Sequence, residues 1–452
     1  MAFSNPFDEE FNALLPEIEA ELSGRVSKLD QAGATHLRRY RAEERATMRT
    51  VFLFDTYRRF QPELDRLVAE QNRKGDATVP FADELLSLLA RRGIEGEEAQ
   101  RAFAIFFQIR RAHSFIGEGL AGQSDVMKTL RRHLWNNVFT HDMHIYERSL
   151  WDRMDDFSTL LIGETGTGKG TAAAAIGRSG FIPFDAKKQC FAESVTRGFV
   201  SLNLSQYPDT LIESELFGHR KGAFPGAVEA HEGLFARCSP FGTIFLDEIG
   251  ELAAPIQSKL LGVLNNRVFS PVGSHEEIPF RGRLIAATHR TDLKGHFRDD
   301  FYYRLCSNAI TLPTLRERLA EEPRELDQLL EHLVARIGGD AAIALLPIVR
   351  AALSELIHSN YRWPGNVREL EQSVRRIILT RTHPGGAAAA IPDQLSELQA
   401  GVAAGSLDAD ALLSAYCALL YTRHDNLEEV ARRTNLDRRT VKRYLGVTAR
   451  KR

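Results

Sequence analysis

The sequence predicts an α/β phosphate-binding core built on a parallel sheet, with an all-helical segment before it and another after it. Three observations carry this. The apolar run Thr159-Leu160-Leu161-Ile162 leads into Gly163-Glu164-Thr165-Gly166-Thr167-Gly168-Lys169-Gly170. The run Gly242-Thr243-Ile244-Phe245-Leu246 ends in Asp247-Glu248. Strand-like and helix-like stretches alternate from about residue 117 to 315, whereas helical spacing prevails outside that span.

The first run is a strand entering a glycine-rich turn that ends in Gly-Lys, and such a turn binds phosphate. Glycines let the backbone fold back with its N–H groups inward, and the N-terminus of the next helix adds positive potential. Lys169 reaches the outer phosphates as a point charge. Thr171-Ala172-Ala173-Ala174-Ala175-Ile176 supplies the helix. Gly170 stands where a generic loop of this kind has a Ser or Thr that ligates Mg²⁺. The second run has the composition of a buried parallel strand, and ligands bind at the carboxyl ends of such strands. Asp247 is placed to hold Mg²⁺, directly or through water. Glu248 is placed to polarise an attacking water.

Bulk properties narrow the class. A length of 452 residues argues for two to four domains. Apolar content of 43% and charged content of 26% are those of soluble globular protein. A net charge of −2 means that any nucleic-acid surface is local. The cysteines at 190, 238, 306 and 417 form no C-x-x-C pair, which predicts a reducing compartment with neither disulfide framework nor zinc site. The acidic start lacks a signal-peptide core, and no apolar run approaches transmembrane length, Ala102–Phe107 being among the longest. The expectation is a cytoplasmic protein with no membrane partner.

Residues 1–116 read as a helical N-terminal regulatory domain. Leu15, Ile18, Leu22, Val26 and Leu29 recur at three- and four-residue steps along one helix face. Residues 47–70 and 97–113 look similar, with breaks at Gly75-Asp76 and Arg92-Gly93. Residues 117–315 form the α/β domain and 316–383 turn helical again. His383-Pro384-Gly385-Gly386 opens a linker over 384–405, and 406–452 reads as short helices with a basic end.

Within the last segment, Asn426–Thr434 is one helix, Asn435-Leu436-Asp437 a turn and Arg438–Leu445 a second helix. Val430, Leu436, Val441 and Leu445 are the expected buried set. The spacing fits a helix-turn-helix. Residues 423–452 hold ten Lys or Arg against four Asp or Glu, a local net charge of +6 in an otherwise acidic chain. That is the footprint of phosphate-backbone binding, with Arg438, Arg439, Thr440, Lys442 and Arg443 as the DNA-facing candidates.

Further motifs in the α/β region identify a family. With the two strand-end motifs they resemble the AAA+ domain of the bacterial enhancer-binding proteins, the ATPases that activate sigma-54 RNA polymerase. The resemblance covers roughly residues 117–383 and continues into the C-terminal segment. Its most specific stretch is Glu213–Ala227, in which Gly222-Ala223-Phe224-Pro225-Gly226-Ala227 matches the family's G-A-F-T-G-A hexapeptide. In the family that hexapeptide tips a loop that touches the sigma factor. Gly222 and Gly226 permit a tight turn, and Phe224 is an apolar anchor held in solvent. Pro225 replaces the family's threonine, deleting a hydroxyl and a backbone N–H.

Other roles are implied by the same resemblance. Asn203, ending the strand Phe199–Asn203, matches the asparagine that pairs with and restrains the catalytic glutamate. His289, after Arg283–Thr288, stands where a γ-phosphate sensor, usually Asn, is found. Arg298 and Arg304 match the arginine-finger helix, which completes the site of a neighbouring subunit. Asn366 matches the start of a lid helix as its N-cap, and Arg368 the second phosphate sensor. The implied cofactors are ATP and Mg²⁺. The implied partners are DNA at an upstream activator site, sigma-54 RNA polymerase holoenzyme and further copies of the chain in a ring. The function expected is an ATP-hydrolysing transcription regulator that remodels the holoenzyme. Two rivals remain: a DNA-binding AAA+ regulator that does not act through sigma-54, favoured by Pro225, and an AAA+ protein-remodelling ATPase with an incidental basic tail.

Overall fold

A computed structural model describes residues 5–7, 9–75, 78–290, 292–358, 361–381, 398, 402, 407–424 and 426–445. Residues 1–346 and 362–375 form one compact unit; residues 347–361 and 376–452 form another.

The first unit is built on five parallel strands: β1 (Thr159–Ile162), β2 (Phe199–Asn203), β3 (Thr243–Asp247), β4 (Arg283–Thr288) and β5 (Ala309–Thr311). Their order across the sheet is β2-β3-β4-β1-β5. The inner strands are apolar because helices cover both faces, and β4 is buried along its whole length. The registers pair Asn203 with Asp247 and Ile162 with Thr288. One edge of the sheet therefore gathers the ends of β1, β2, β3 and β4, the place where open α/β sheets bind ligands.

The N-terminal region is all-helical, as its periodicity predicts. Helix Glu9–Gln31 keeps Leu15, Ile18, Leu22 and Leu29 half-buried and Val26 buried. The stretch 47–70 is two helices rather than one: Ala42–Arg59 stops at Phe60, and Gln61–Lys74 restarts with Pro62 in its first turn. Proline is tolerated there because its missing N–H has no intrahelical partner. The predicted breaks hold, with Gly75 and Gly93 at φ 85° and 84°.

Helix Gly96–Ala112 joins this region to the sheet. Phe107 stacks on Phe191 at 4.2 Å, and Phe103 meets Phe184 at 4.7 Å. Its far end abuts the helix that follows the glycine-rich loop, Lys169–Gly177. Arg111, fully buried, donates to the carbonyls of Arg178 (2.8 Å) and Gly180 (2.6 Å), while Gln108 donates to Ser179 O (2.9 Å). The last carbonyls of a helix lack internal partners and carry negative potential, so a cation is well placed there.

Four helices follow the sheet: Leu315–Glu321, Glu325–Gly338, Ala342–His358 and Asn366–Thr380. An 18-residue stretch within Glu325–Ser354 has a mean hydropathy of 1.5, enough by length and composition to cross a membrane. This corrects the expectation that no such run exists. Gly338-Gly339 and Pro347 interrupt it, and Leu326, Leu329, Leu330 and Leu333 are buried in the protein.

In the second unit, Ala409–His424 packs with Leu427–Thr434 and Arg438–Tyr444 around Cys417, Leu420, Val430 and Val441. Leu436 and Leu445 lie partly buried against this core. Asn426 caps the second of these helices by accepting from Glu428 N, Asn435 ends it at φ 54°, and Asp437 caps the third. Asparagine suits a left-handed position and aspartate an N-cap, so the turn is written in its own residues. The predicted linker 384–405 lies outside the described residues except at positions 398 and 402. All four cysteines are unpaired.

Candidate nucleotide site

The loop between β1 and the Lys169–Gly177 helix supplies a cradle. Gly166 and Gly168 sit at φ 83° and 97°, where side chains are strained. A Cβ on Gly166 would lie 2.1 Å from the Gly365 carbonyl, so glycine is required by packing as well. Thr167 is buried and bonds to Glu164 O at 2.9 Å, whereas Thr165, Gly170 and Thr171 are exposed. Lys169 is buried and folds back onto the loop, donating to Gly163 O (2.8 Å) and Glu164 O (3.2 Å).

Charge collects around it. Burial lowers the Lys169 pKa, while Glu248 and Asp247 work in the opposite direction. Burial, and then Glu248, raises the Asp247 pKa. Each group is thus held in a site that opposes its own charge, and an incoming phosphate or cation reverses that penalty. Arg368 is exposed with no ion pair among the described residues, yet its charge acts on both Lys169 and Asp247. These residues fit a nucleotide polyphosphate with a divalent cation: a glycine cradle, two cations and an oxygen donor of the kind Mg²⁺ prefers. With Gly at 170, Asp247 is the residue that would hold such a cation.

Glu248 has a left-handed backbone (φ 57°, ψ 47°), a strained state for a non-glycine residue. Its Oε2 lies 2.7 Å from His289 Nδ1. Asn203, expected to be the partner of Glu248, instead accepts from Ser205 N (3.0 Å) and Ser205 Oγ (2.7 Å) and caps the turn after β2. The two flanking strands β2 and β4 both end beside Glu248, and the imidazole from the β4 side is the one that takes its carboxylate.

Asn366 also differs from its expected place. It is fully buried at φ 54°, and its side chain does not cap its own helix. Its Oδ1 accepts from Leu315 N (2.8 Å), and its Nδ2 donates to Thr165 O (3.0 Å) and Glu164 Oε2 (3.2 Å). Glu164 also pairs with Arg316 through both carboxylate oxygens, and this partner lowers the Glu164 pKa. The glycine-rich loop is thereby tied to residues 315–316 and to 364–368. Glu369 reaches back to Gly365 N at 2.8 Å and supplies half of a capping box instead. Sequence reading missed Arg316 because its partner lies 152 residues away.

The two candidate finger arginines separate. Arg298 is exposed and paired with Asp300 on its own helix at 3.0 Å. Arg304 turns inward and donates to Leu264 O at 2.7 Å. Arg298 is the one that a neighbouring molecule can reach.

The hexapeptide forms a closed tip. Gly222 N donates to Ala227 O at 2.8 Å, and Gly222 and Gly226 sit at φ 80° and 100°. Ala223 is half-buried, Ala227 is buried, and Pro225 and Gly226 are exposed. Phe224 is half-buried rather than held in solvent, its ring edge-on to His219 at 4.8 Å. In the second unit, Arg438, Arg439, Lys442 and Arg443 are all exposed on one helix, and Thr440 is held by Asp437.

Comparison with known proteins supports these assignments at the level of domains. Residues 143–311 match the family described as the Sigma-54 interaction domain, and residues 320–405 match the AAA+ ATPase lid domain. The chain is 33% identical over 345 residues to the C4-dicarboxylate transport transcriptional regulatory protein DctD of Rhizobium meliloti, covering 73% of this chain and 67% of that one. It is 43% identical over 224 residues to the Nif-specific regulatory protein of Azotobacter vinelandii, covering 48% of this chain and 39% of that one. The hydrogenase transcriptional regulatory protein HoxA of Cupriavidus necator is 40% identical over 234 residues, 49% of this chain and 43% of that one. The chain thus spans about two fifths of the length of these last two relatives.

Proposed function

This chain belongs to the family of sigma-54-dependent transcriptional regulators and carries its AAA+ ATPase domain, and from that premise we propose that it binds DNA and spends ATP hydrolysis on remodelling sigma-54 RNA polymerase holoenzyme. One observation carries the reading. Lys169, Asp247, Glu248 and Arg368 gather at the carboxyl edge of a sheet whose domain also projects the Gly222–Ala227 tip.

The chemistry is attack of water on the γ-phosphorus with cleavage of the bond to the ADP oxygen. Lys169 and Arg368 hold the phosphate oxygens, and Asp247 holds the cation. Mg²⁺, when bound, neutralises charge on the phosphates. Glu248 orients the water and accepts its proton as the P–O bond forms. Arg298 of a neighbouring copy supplies positive charge to the transferred group, so activity requires assembly. Specific ATPase activity therefore rises with protein concentration. Arg298→Ala keeps ATP binding and loses that rise, with turnover falling ~10³-fold, the lower end for an arginine finger. Activity that is independent of concentration in a protein sedimenting as a monomer would exclude this arrangement.

The tip is the proposed contact with the sigma factor. Pro225 cannot offer the hydroxyl of the family's threonine, but Gly222 and Gly226 keep the turn and Phe224 keeps the apolar anchor. Coupling is weakened, not lost. Pro225→Thr raises nucleotide-dependent capture of sigma-54 and open-complex formation while ATPase rate stays within about twofold, because the tip lies outside the catalytic groups. If neither protein captures sigma-54 in any nucleotide state, Pro225 favours the second reading: a DNA-binding AAA+ regulator that serves another partner.

A further inference from the structure

We propose that His289, and not Asn203, is the positioning residue that holds Glu248 in the nucleotide-free protein and releases it to the attacking water when a γ-phosphate takes over the imidazole. The inference rests on the ATPase reading above and adds to it the group that times the release.

The contact itself is direct: Glu248 Oε2 lies 2.7 Å from His289 Nδ1. A carboxylate only accepts, so Nδ1 carries the proton and donates. Glu248 reaches this partner from a left-handed backbone of φ 57° and ψ 47°. A strained residue persists when its surroundings hold it, and the imidazole is the one hydrogen-bond partner of this carboxylate among the described residues. Asn203 makes no hydrogen bond to Glu248 among the described residues; its Oδ1 accepts from Ser205 N and Ser205 Oγ, and the carboxylate is met by the imidazole alone.

The position of His289 links it to phosphate. It directly follows Thr288, whose carbonyl accepts the N–H of Gly163, the first residue of the glycine-rich loop, at 3.2 Å. Its side chain is 46% exposed, so the ring can turn without unpacking the core. The Nδ1 N–H that meets the Glu248 carboxylate serves that carboxylate or a phosphate oxygen, and not both. ATP brings a γ-phosphate to the loop and ADP does not, so only ATP competes for the ring. The device therefore distinguishes the triphosphate from the diphosphate by freeing the carboxylate that the triphosphate needs.

A double-mutant cycle on the full chain tests this. The affinities of MgADP and of MgAMP-PNP, which resists hydrolysis, are measured for wild type, Glu248→Ala, His289→Ala and the double variant. Glu248→Ala frees the ring, and the preference for AMP-PNP over ADP rises about tenfold, the scale of one hydrogen bond to a charged group. In the His289→Ala background the same substitution shifts the preference by less than about twofold, because no competition remains. A second cycle built on His289→Leu, which fills the space without a donor, gives the same result. Equal rises in both backgrounds would show that Glu248 acts through charge alone and overturn the proposal. So would a fall in preference on Glu248→Ala with His289 present, since that is the mark of a ring bridging both groups. A wild type that binds neither nucleotide sinks the ATPase reading itself, so the two failures are distinct.

Discussion

Glu248→Gln retains ATP binding and loses most turnover. The substitution keeps the length of the side chain and an oxygen that can accept from His289 Nδ1, now 2.7 Å from the carboxylate. It removes the charge that polarises water and the basicity that takes its proton. Such a group contributes ~10²–10⁴-fold to rate, and the loss falls in kcat, since the ground-state phosphates are held elsewhere. Lys169→Ala acts on the opposite term. Lys169 Nζ now lies 2.8 Å from the Gly163 carbonyl, within the cradle, and its loss weakens nucleotide binding itself. Phosphate release at saturating ATP, paired with direct binding of nucleotide, separates the two. A Glu248→Gln protein that hydrolyses ATP at the wild-type rate would show that another group activates the water.

How much of this was legible in the sequence depends on sequence distance. The glycine-rich loop, the Asp247-Glu248 strand end and the Asn435-Leu436-Asp437 turn are local. Each is written in neighbouring residues whose conformational demands are known, and each stands where it is expected. The helix break at Phe60 was also local, because Pro62 marks it, but the apolar stripe ran across both helices and hid it. The partner of Glu248 was not local. The sheet order puts β3 between β2 and β4, so Asn203 and His289 approach Glu248 from opposite sides. Position in a motif identifies both candidates; it does not say which way a left-handed residue turns its side chain. Asn366 failed for the same reason. Its i to i+3 context reads as an N-cap, whereas burial brings it to Thr165 and Leu315, where it finds stronger demands on its amide. The hexapeptide's turn was legible from its glycines. The docking of Phe224 on His219 depends on a histidine whose ring is held by Ser214 and by Glu229 O, contacts that no periodicity announces.

Neutralising the third helix of the C-terminal unit abolishes site-specific DNA binding and leaves ATPase activity largely intact. Arg438, Arg439, Lys442 and Arg443 are all exposed on Arg438–Tyr444, and none of them is part of the small core made by Cys417, Leu420, Val430 and Val441. Replacing the four by Gln therefore leaves the fold of the unit in place while removing four cations. Arg438 already meets Glu428 at 3.3 Å, so it gives up an exposed pair of small value when it turns to phosphate. Binding of this kind releases counterions, and log affinity falls with log salt by about 0.9 per phosphate neutralised. The quadruple variant thus loses roughly three to four from the slope, and at moderate salt the site-specific affinity drops by roughly 10³-fold or more. Electrophoretic mobility shifts across a salt series read both quantities. Thermal unfolding of the variant confirms that the three helices still pack. Undiminished binding with an unchanged salt slope would place the DNA contact elsewhere in the chain, and an ATPase rate that collapses with it would mean that these cations serve assembly rather than DNA.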